Sequence, residues 1–341
     1  MLDVRNHTPL NTMLIPGLDK NGYDYAIVVI KGNFTINADK KLLILSEEPA
    51  TIFEGDEYYG EPGESSVRYE SDTSMYKRGT DIVANGHAYA PAGKQASSVD
   101  IGLQVGSQSK ICKVFGDRFW EKAADSVMTW QASAPKHFKR MPIIYENAFG
   151  GIDRKTPKDE IPDYSASNPI GKGFVGHKSS PVEGLALPNI EDPRSLIQKW
   201  EDKPTPAGFG FLNRAWQPRL SMAGTFDEQW MTQRKPLLPL DFNDQYFNGA
   251  HPDMISTQIL KGGEHVILNN MSESGRIEFD LPAWKETVDV SIKGNKQTFN
   301  PVMDTVVIEP DNQNVMITWR VTVPCYKQLL YLDSVTIGKK R

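Results

Sequence analysis

The sequence predicts a mainly β protein: antiparallel β-sandwich-like sheets drawn from the N- and C-terminal thirds, a long irregular central region, and a few short helices. Three observations predict it. Runs rich in Val, Ile, Thr, Tyr and Phe recur through residues 1–140 and again through 258–341, about a dozen residues apart, with Gly, Ser or Pro between them. Turn-forming strings punctuate these runs, Asn37-Ala38-Asp39 early and Pro310-Asp311-Asn312-Gln313-Asn314 late. In the middle, periodicity disappears: residues 206–253 carry Trp216, Phe226, Trp230, Phe242, Tyr246 and Phe247 among Pro206, Pro218, Pro236, Pro239 and Pro252. The prolines forbid one continuous helix or central strand, and the rings can each bury a large area, so the segment is expected to pack as ordered irregular structure.

Taken in chain order, YDYAIVVIKGNFTIN (23–37) and KKLLILS (40–46) flank the Asn-Ala-Asp turn as an antiparallel hairpin. SVRYESD (66–72), TDIVANGHAYA (80–90), SSVDIGLQVG (97–106) and SKICKVFGDRFW (109–120) follow as strands. In the centre, EDPRSLIQKW (191–200) and TFDEQWMTQR (225–234) read as short helices, the second with Thr225 or Asp227 as N-cap. Strands resume with TQILKGGEHVILNN (257–270), GRIEFDLP (275–282), TVDVSIKG (287–294), DTVVIEP (304–310) and NVMITWRVTVP (314–324). The expected organisation is one β-rich domain, with lobe 1–140 and lobe 258–341 packed together around an irregular belt at 141–257.

At 341 residues the chain can bury a large core, and 38 Lys plus Arg against 43 Asp plus Glu give a formal net charge of −5. That balance gives no global footprint for nucleic acid or an anionic membrane. The basic strings KHFKR (136–140) and GKKR (338–341) read as solvated surface. Cys112 and Cys325 lack CxxC or Cys/His spacing, which argues against zinc and against a disulfide framework. With no leader-like N-terminus and no run of 18 apolar residues, the expectation is a soluble cytoplasmic protein without a membrane span.

Four constellations bear on chemistry. Gly171-Lys172-Gly173-Phe174-Val175-Gly176 matches GxGxxG, but Pro169 before it and HKSSPVEG after it supply neither the strand nor the helix a dinucleotide site needs, so it reads as a turn. Asp81, His87 and Tyr89 would share a face of one strand and form a polar cluster, although no activated nucleophile accompanies them. The six histidines are scattered, without HExxH or an i, i+4 pair, so no metal or other cofactor is expected. Carboxylates beside aromatics, at Glu146, Asp227, Glu228, Asp241 and Asp244, suit turns and caps first and a glycosidase-like pair second. Trp216, Arg219, Phe226 and Trp230 are the residue types that anchor protein interfaces, or that plug a local core.

The strings PAGFGFLNRAWQPRL (206–220), AGTFDEQW (223–230), PLLPLDFNDQYFNGAHPD (236–253) and LKGGE (260–264) occur in that order. GTDIVANGHAYAPAGK (79–94), YENAFGG (145–151), NPIGKGF (168–174), LPNIEDP (187–193) and DTVVIEPDNQNVMITWR (304–320) extend the pattern over nearly the whole chain. This pattern resembles a bacterial family of adaptor or chaperone-like proteins encoded beside type VI secretion genes. The resemblance implies a non-catalytic cytoplasmic protein whose partners are an effector toxin, a PAAR-domain protein and the VgrG spike onto which they are loaded. It brings no catalytic residues. Two alternatives stand beside it: a carbohydrate-binding or hydrolytic protein using the aromatic and carboxylate groups of the belt, and a component that leaves the cell with the toxin.

Overall fold

A computed structural model describes residues 2–124, 129–153 and 162–339. It is mainly β, as the sequence predicts, and a twelve-stranded mixed sheet dominates it. Its strands are β1 (Asn11–Leu18), β2 (Asp24–Asn37), β3 (Leu42–Leu45), β4 (Thr80–Ala84), β5 (Ser98–Val105), β6 (Gln108–Phe115), β7 (Ile190–Glu191), β8 (Ile255–Ser256), β9 (His265–Asn269), β10 (Arg276–Asp280), β11 (Val302–Glu309) and β12 (Asn314–Pro324). Their order is β7-β6-β5-β9-β10-β3-β2-β12-β11-β4-β8, with β1 also on β2.

The centre of the sheet follows from β2. Ala26 to Ile30 are buried in an unbroken run, so this strand has apolar side chains on both faces and must be covered on both. It pairs with β1 and β3 on one edge and along all 11 residues of β12 on the other. Strands from the two ends of the chain thus alternate within one sheet. A second sheet of four strands (Asp3–Asn6, Leu332–Ile337, Val288–Ile292 and Asn295–Phe299) covers one face, and its Val288, Val290, Val335 and Ile337 join Val28, Ile30 and Trp319 in one core, giving the sandwich-like contact.

Three expected elements come out differently: the run 257–270 is a strand only at His265–Asn269, and two others change character. Residues 191–200 form no helix. Asp192 accepts from the Arg194 amide at 2.8 Å, Glu191 from the Ile197 amide at 2.8 Å, and Asp202 from the Gln198 amide at 2.8 Å, so carboxylates take the amides a helix would use. Residues 80–90 are not one strand. The ladder stops after Ala84, Asn85-Gly86 breaks it, and His87–Tyr89 pairs separately with Arg140–Pro142. The helix expected at 225–234 is α1 (Glu228–Gln233), capped by the Asp227 carboxylate on the Trp230 amide at 2.8 Å.

The face of the sheet away from the four-stranded layer carries buried charge. Lys31 on β2 meets Asp72 at 2.6 Å, and Arg320 on β12 meets Asp304 on β11 at 2.5 Å. Lys77 meets Asp81 on β4 at 2.6 Å and Glu70 at 3.4 Å. Glu70 then receives Arg219 at 2.5 Å and Arg214 at 3.3 Å from the belt. Burial raises the Glu70 pKa, but Lys77, Arg219 and Arg214 outweigh it and hold the carboxyl below its ordinary range. Burial likewise disfavours the Lys77 ammonium, and Asp81 and Glu70 more than restore it. At Lys31 burial wins over Asp72 and the pKa falls.

A second tie fixes the end of the belt. The His251 imidazole accepts from the Asp253 amide at Nδ1 (3.2 Å) and lies against the Pro206 carbonyl at Nε2 (3.2 Å), while the buried Lys110 ammonium on β6 reaches the ring at 3.0 Å and Asp253 at 2.8 Å. Burial first and Lys110 second push the His251 pKa down to about 4.

Two outcomes are expected. Glu70→Gln leaves Lys77 and Arg219 buried without their shared counter-charge, and urea unfolding should show a loss of about 3–5 kcal/mol, against less than about 0.5 for Asp3→Asn at the exposed Arg5 pair. His251 is neutral when folded and takes a proton more readily when unfolded, so its contribution is complete above about pH 6.5 and is lost as pH falls towards about 4. Stability curves from pH 7 to 4 should therefore be steeper for the wild type than for His251→Asn, by at most about 1.4 kcal/mol per pH unit.

Candidate functional site

Trp216 and Arg219 face inward. Trp216 is 5 % exposed and stands edge-on to Tyr145, with ring centroids 5.8 Å apart. Besides Glu70, Arg219 donates to the Leu212 carbonyl at 2.6 Å and the Tyr246 carbonyl at 2.8 Å. Both hold the belt down; neither offers a surface.

Phe226 faces solvent, and Trp230 is half-buried beside it. They lie in a small folded projection, residues 225–241, closed at its base where Asp241 accepts from the Thr225 amide at 3.0 Å and hydroxyl at 2.7 Å. Trp230 donates Nε1 to the Leu237 carbonyl at 2.8 Å, and Arg234 donates to the Leu238 carbonyl at 2.7 Å, so the loop after α1 is pinned to the helix. Phe226 packs edge-on against Trp230 at 4.7 Å and is still 53 % exposed; Met231 is 60 % and Leu240 72 % exposed. Trp230, Leu240 and Pro239 border a shallow pocket of about 280 Å³.

Asp81, His87 and Tyr89 do not come together. The break at Asn85-Gly86 leaves Asp81 in the buried charge layer, where it also accepts from the Asn248 side chain at 2.9 Å and the Gly249 amide at 2.8 Å. His87 and Tyr89 instead converge on Asp311, whose carboxylate meets His87 Nδ1 at 2.6 Å and accepts from the Tyr89 hydroxyl at 2.7 Å. Burial and Asp311 raise the Tyr89 pKa. Asp311 sits in the turn between β11 and β12, and sequence reading gave that string only a turn role. The three residues line a cleft of about 1150 Å³. Its wall includes Glu309, which accepts from the Tyr69 hydroxyl and from Arg68 at 3.2 Å.

Four of the belt carboxylates hold structural contacts, and Glu228 is exposed in the first turn of α1. Glu146 accepts from the Ser66 amide at 2.8 Å and hydroxyl at 2.7 Å, Asp244 pairs with Arg78, and Asp227 and Asp241 cap and clamp the projection. The GxGxxG string lies in a backbone crossing. Residues 149–150 run beside 172–173, and a Cβ on Gly171 would stand 2.9 Å from the Gly150 Cα and 2.7 Å from the Ala148 carbonyl oxygen. Lys172 from the same string reaches the Asn147 and Asn189 side-chain oxygens, both at 2.9 Å, and burial lowers its pKa. Both cysteines are free and buried, and burial pushes Cys112 up to about 12. Of the basic strings, Lys136, His137, Lys139 and Arg140 are exposed, and Lys340 and Arg341 lie outside the described residues. Among the described residues no His/Cys/Asp/Glu group is arranged to hold a metal ion, and no helix is long and apolar enough to cross a membrane.

Fold and sites together define a mainly β protein whose irregular centre is fixed to the sheet by buried charge and carries an exposed apolar projection. The chain belongs to the bacterial family described as "uncharacterized protein conserved in bacteria (DUF2169)", whose profile matches residues 21–320. No curated protein and no solved structure matches it.

Trp216→Ala should cost about 3–5 kcal/mol in chemical unfolding, as a buried ring is lost from the core around Tyr145. Met231→Ala, on the exposed projection, should change stability by no more than about 0.5 kcal/mol.

Proposed function

We propose that this chain is a non-catalytic adaptor that binds a type VI secretion effector or its PAAR-domain region and helps load it onto the VgrG spike. The single observation that supports this reading in three dimensions is the projection at 225–241. Phe226, Met231 and Leu240 are large apolar side chains left in solvent on a segment that is pinned by side-chain hydrogen bonds. A pinned apolar surface loses little conformational entropy when a partner covers it, which suits recognition. The ordered resemblance to adaptor proteins encoded beside type VI secretion genes supports this choice of partner. In this reading the cytoplasm is the place of action, and the adaptor shields an apolar region of its cargo until docking.

The test is co-expression of the tagged chain with the PAAR- and effector-encoding neighbours of its own locus, followed by affinity capture and size-exclusion chromatography. The expected result is a stable complex that the double variant Phe226→Asp, Met231→Asp weakens by about 30-fold or more, a loss of about 2 kcal/mol, while its melting temperature stays at the wild-type value. A folded, monodisperse wild type that captures none of these neighbours overturns the reading. A complex indifferent to the double variant removes the projection as its contact.

A further inference from the structure

We propose that the cleft containing His87, Tyr89 and Asp311 is a binding site for a short pyranose oligosaccharide. It lies apart from the apolar projection, and its case does not rest on the adaptor reading.

The cleft forms where the Asn85-Gly86 break, the β11–β12 turn and the β9–β10 turn meet, and its volume of about 1150 Å³ is slightly above the usual range for small-molecule sites. Its polar groups are held in place before any ligand arrives. Asp311 fixes both His87, at 2.6 Å, and the Tyr89 hydroxyl, at 2.7 Å. With Nδ1 engaged, Nε2 is the ring nitrogen left for a ligand, and the carboxylate keeps lone pairs for further donors. Arg68 is held by Glu309 at 3.2 Å through one Nη and lies 4.9 Å from the Tyr69 ring, while its buried Nε has no partner.

Charge decides what class of ligand fits. Arg68 and Arg140 face Glu273, Glu309 and Asp311 around the same space, so no strong field of one sign develops, and neither a polyanion nor a polycation gains much on entry. What the walls offer is a dense mixture of donors and acceptors. Among these polar groups the lining presents apolar surface at Tyr59, 39 % exposed, and at the half-buried Ile144, with Ile36 and Ile277 buried behind them. A molecule that needs hydrogen bonds of both kinds around its rim and an apolar or aromatic surface against its C–H face matches this pattern. A pyranose ring has those two aspects, and a volume of about 1150 Å³ leaves room for more than one ring.

The experiment is ligand-observed NMR and calorimetry on the full chain with four uncharged probes: chitotriose, cellotriose, maltotriose and mannotriose. An acidic and a basic pentapeptide serve as the other arms. The expected result is saturable binding of at least one trisaccharide with a Kd of about 1 mM or tighter, weakened at least tenfold by Asp311→Asn and by Tyr59→Ala. Tyr59→Ala alters an exposed ring and leaves the Asp311 contacts in place, so a loss with unchanged thermal melting reports on the site itself. The proposal is overturned if all four saccharides fail to bind at about 10 mM, if binding survives both variants, or if a pentapeptide alone occupies the cleft.

Discussion

The docking of the belt on the charged face of the sheet depends on Glu70. It is buried, it lies between the sheet and the belt, and its carboxylate is shared by a lysine from its own segment and two arginines from the belt. Taking it out of water is costly, and Lys77, Arg214 and Arg219 offset that cost only in the arrangement seen here. The same holds across the layer. Lys31, Lys77, Arg214, Arg219 and Arg320 face Asp56, Glu70, Asp72, Asp81 and Asp304, so cations and anions match in number. An apolar layer would tolerate sliding; this one selects a single register, because any displacement buries an unpaired charge. Close approach is part of it: a Cβ on Gly249 would stand 2.4 Å from the Glu70 carboxylate, so the belt reaches the charge only through a glycine.

Much of the fold was legible because it obeys simple periodicity. The runs at 23–37, 97–106, 275–282, 304–310 and 314–324 all become strands, since their β-branched residues sit on pleated, half- or fully buried surfaces. The short polar strand Asn295–Phe299 carries no such signal, because four of its five residues are exposed at a sheet edge. The missing helix at 191–200 shows a different limit: Asp192, Glu191 and Asp202 offer the backbone a competing set of acceptors, and helix propensity does not register that competition.

The candidate sites were legible only in part, for one reason. Residue type marks what can bind, but burial decides which side it serves. Trp216 and Trp230 are the same residue in neighbouring motifs; one meets Tyr145 in the core, the other is half-buried beside the exposed Phe226. Asp81 and His87 were placed together by strand alternation, and two residues of turn sufficed to send one into the charge layer and the other to Asp311, 224 positions away. Asp311 itself gave no sign, because a turn aspartate with a functional neighbour reads the same as one without.

The motif strings have a physical explanation that does not require a ligand. A belt without ladders must find partners for its carbonyls and amides, since burying them unpaired is costly. Long side chains supply those partners: Arg219 on Leu212 and Tyr246, Arg234 on Leu238, Arg118 on Pro188, and Asn168 on Tyr145 and Phe149. Asn147, Lys172 and Asn189, one from each of YENAFGG, NPIGKGF and LPNIEDP, bind one another directly. Side chains here do the work that a β ladder does elsewhere, and each works only with its own carbonyl. This arrangement also frees the belt from presenting a regular edge, so that a projection such as 225–241 can place apolar side chains in solvent without offering an open strand for unspecific pairing.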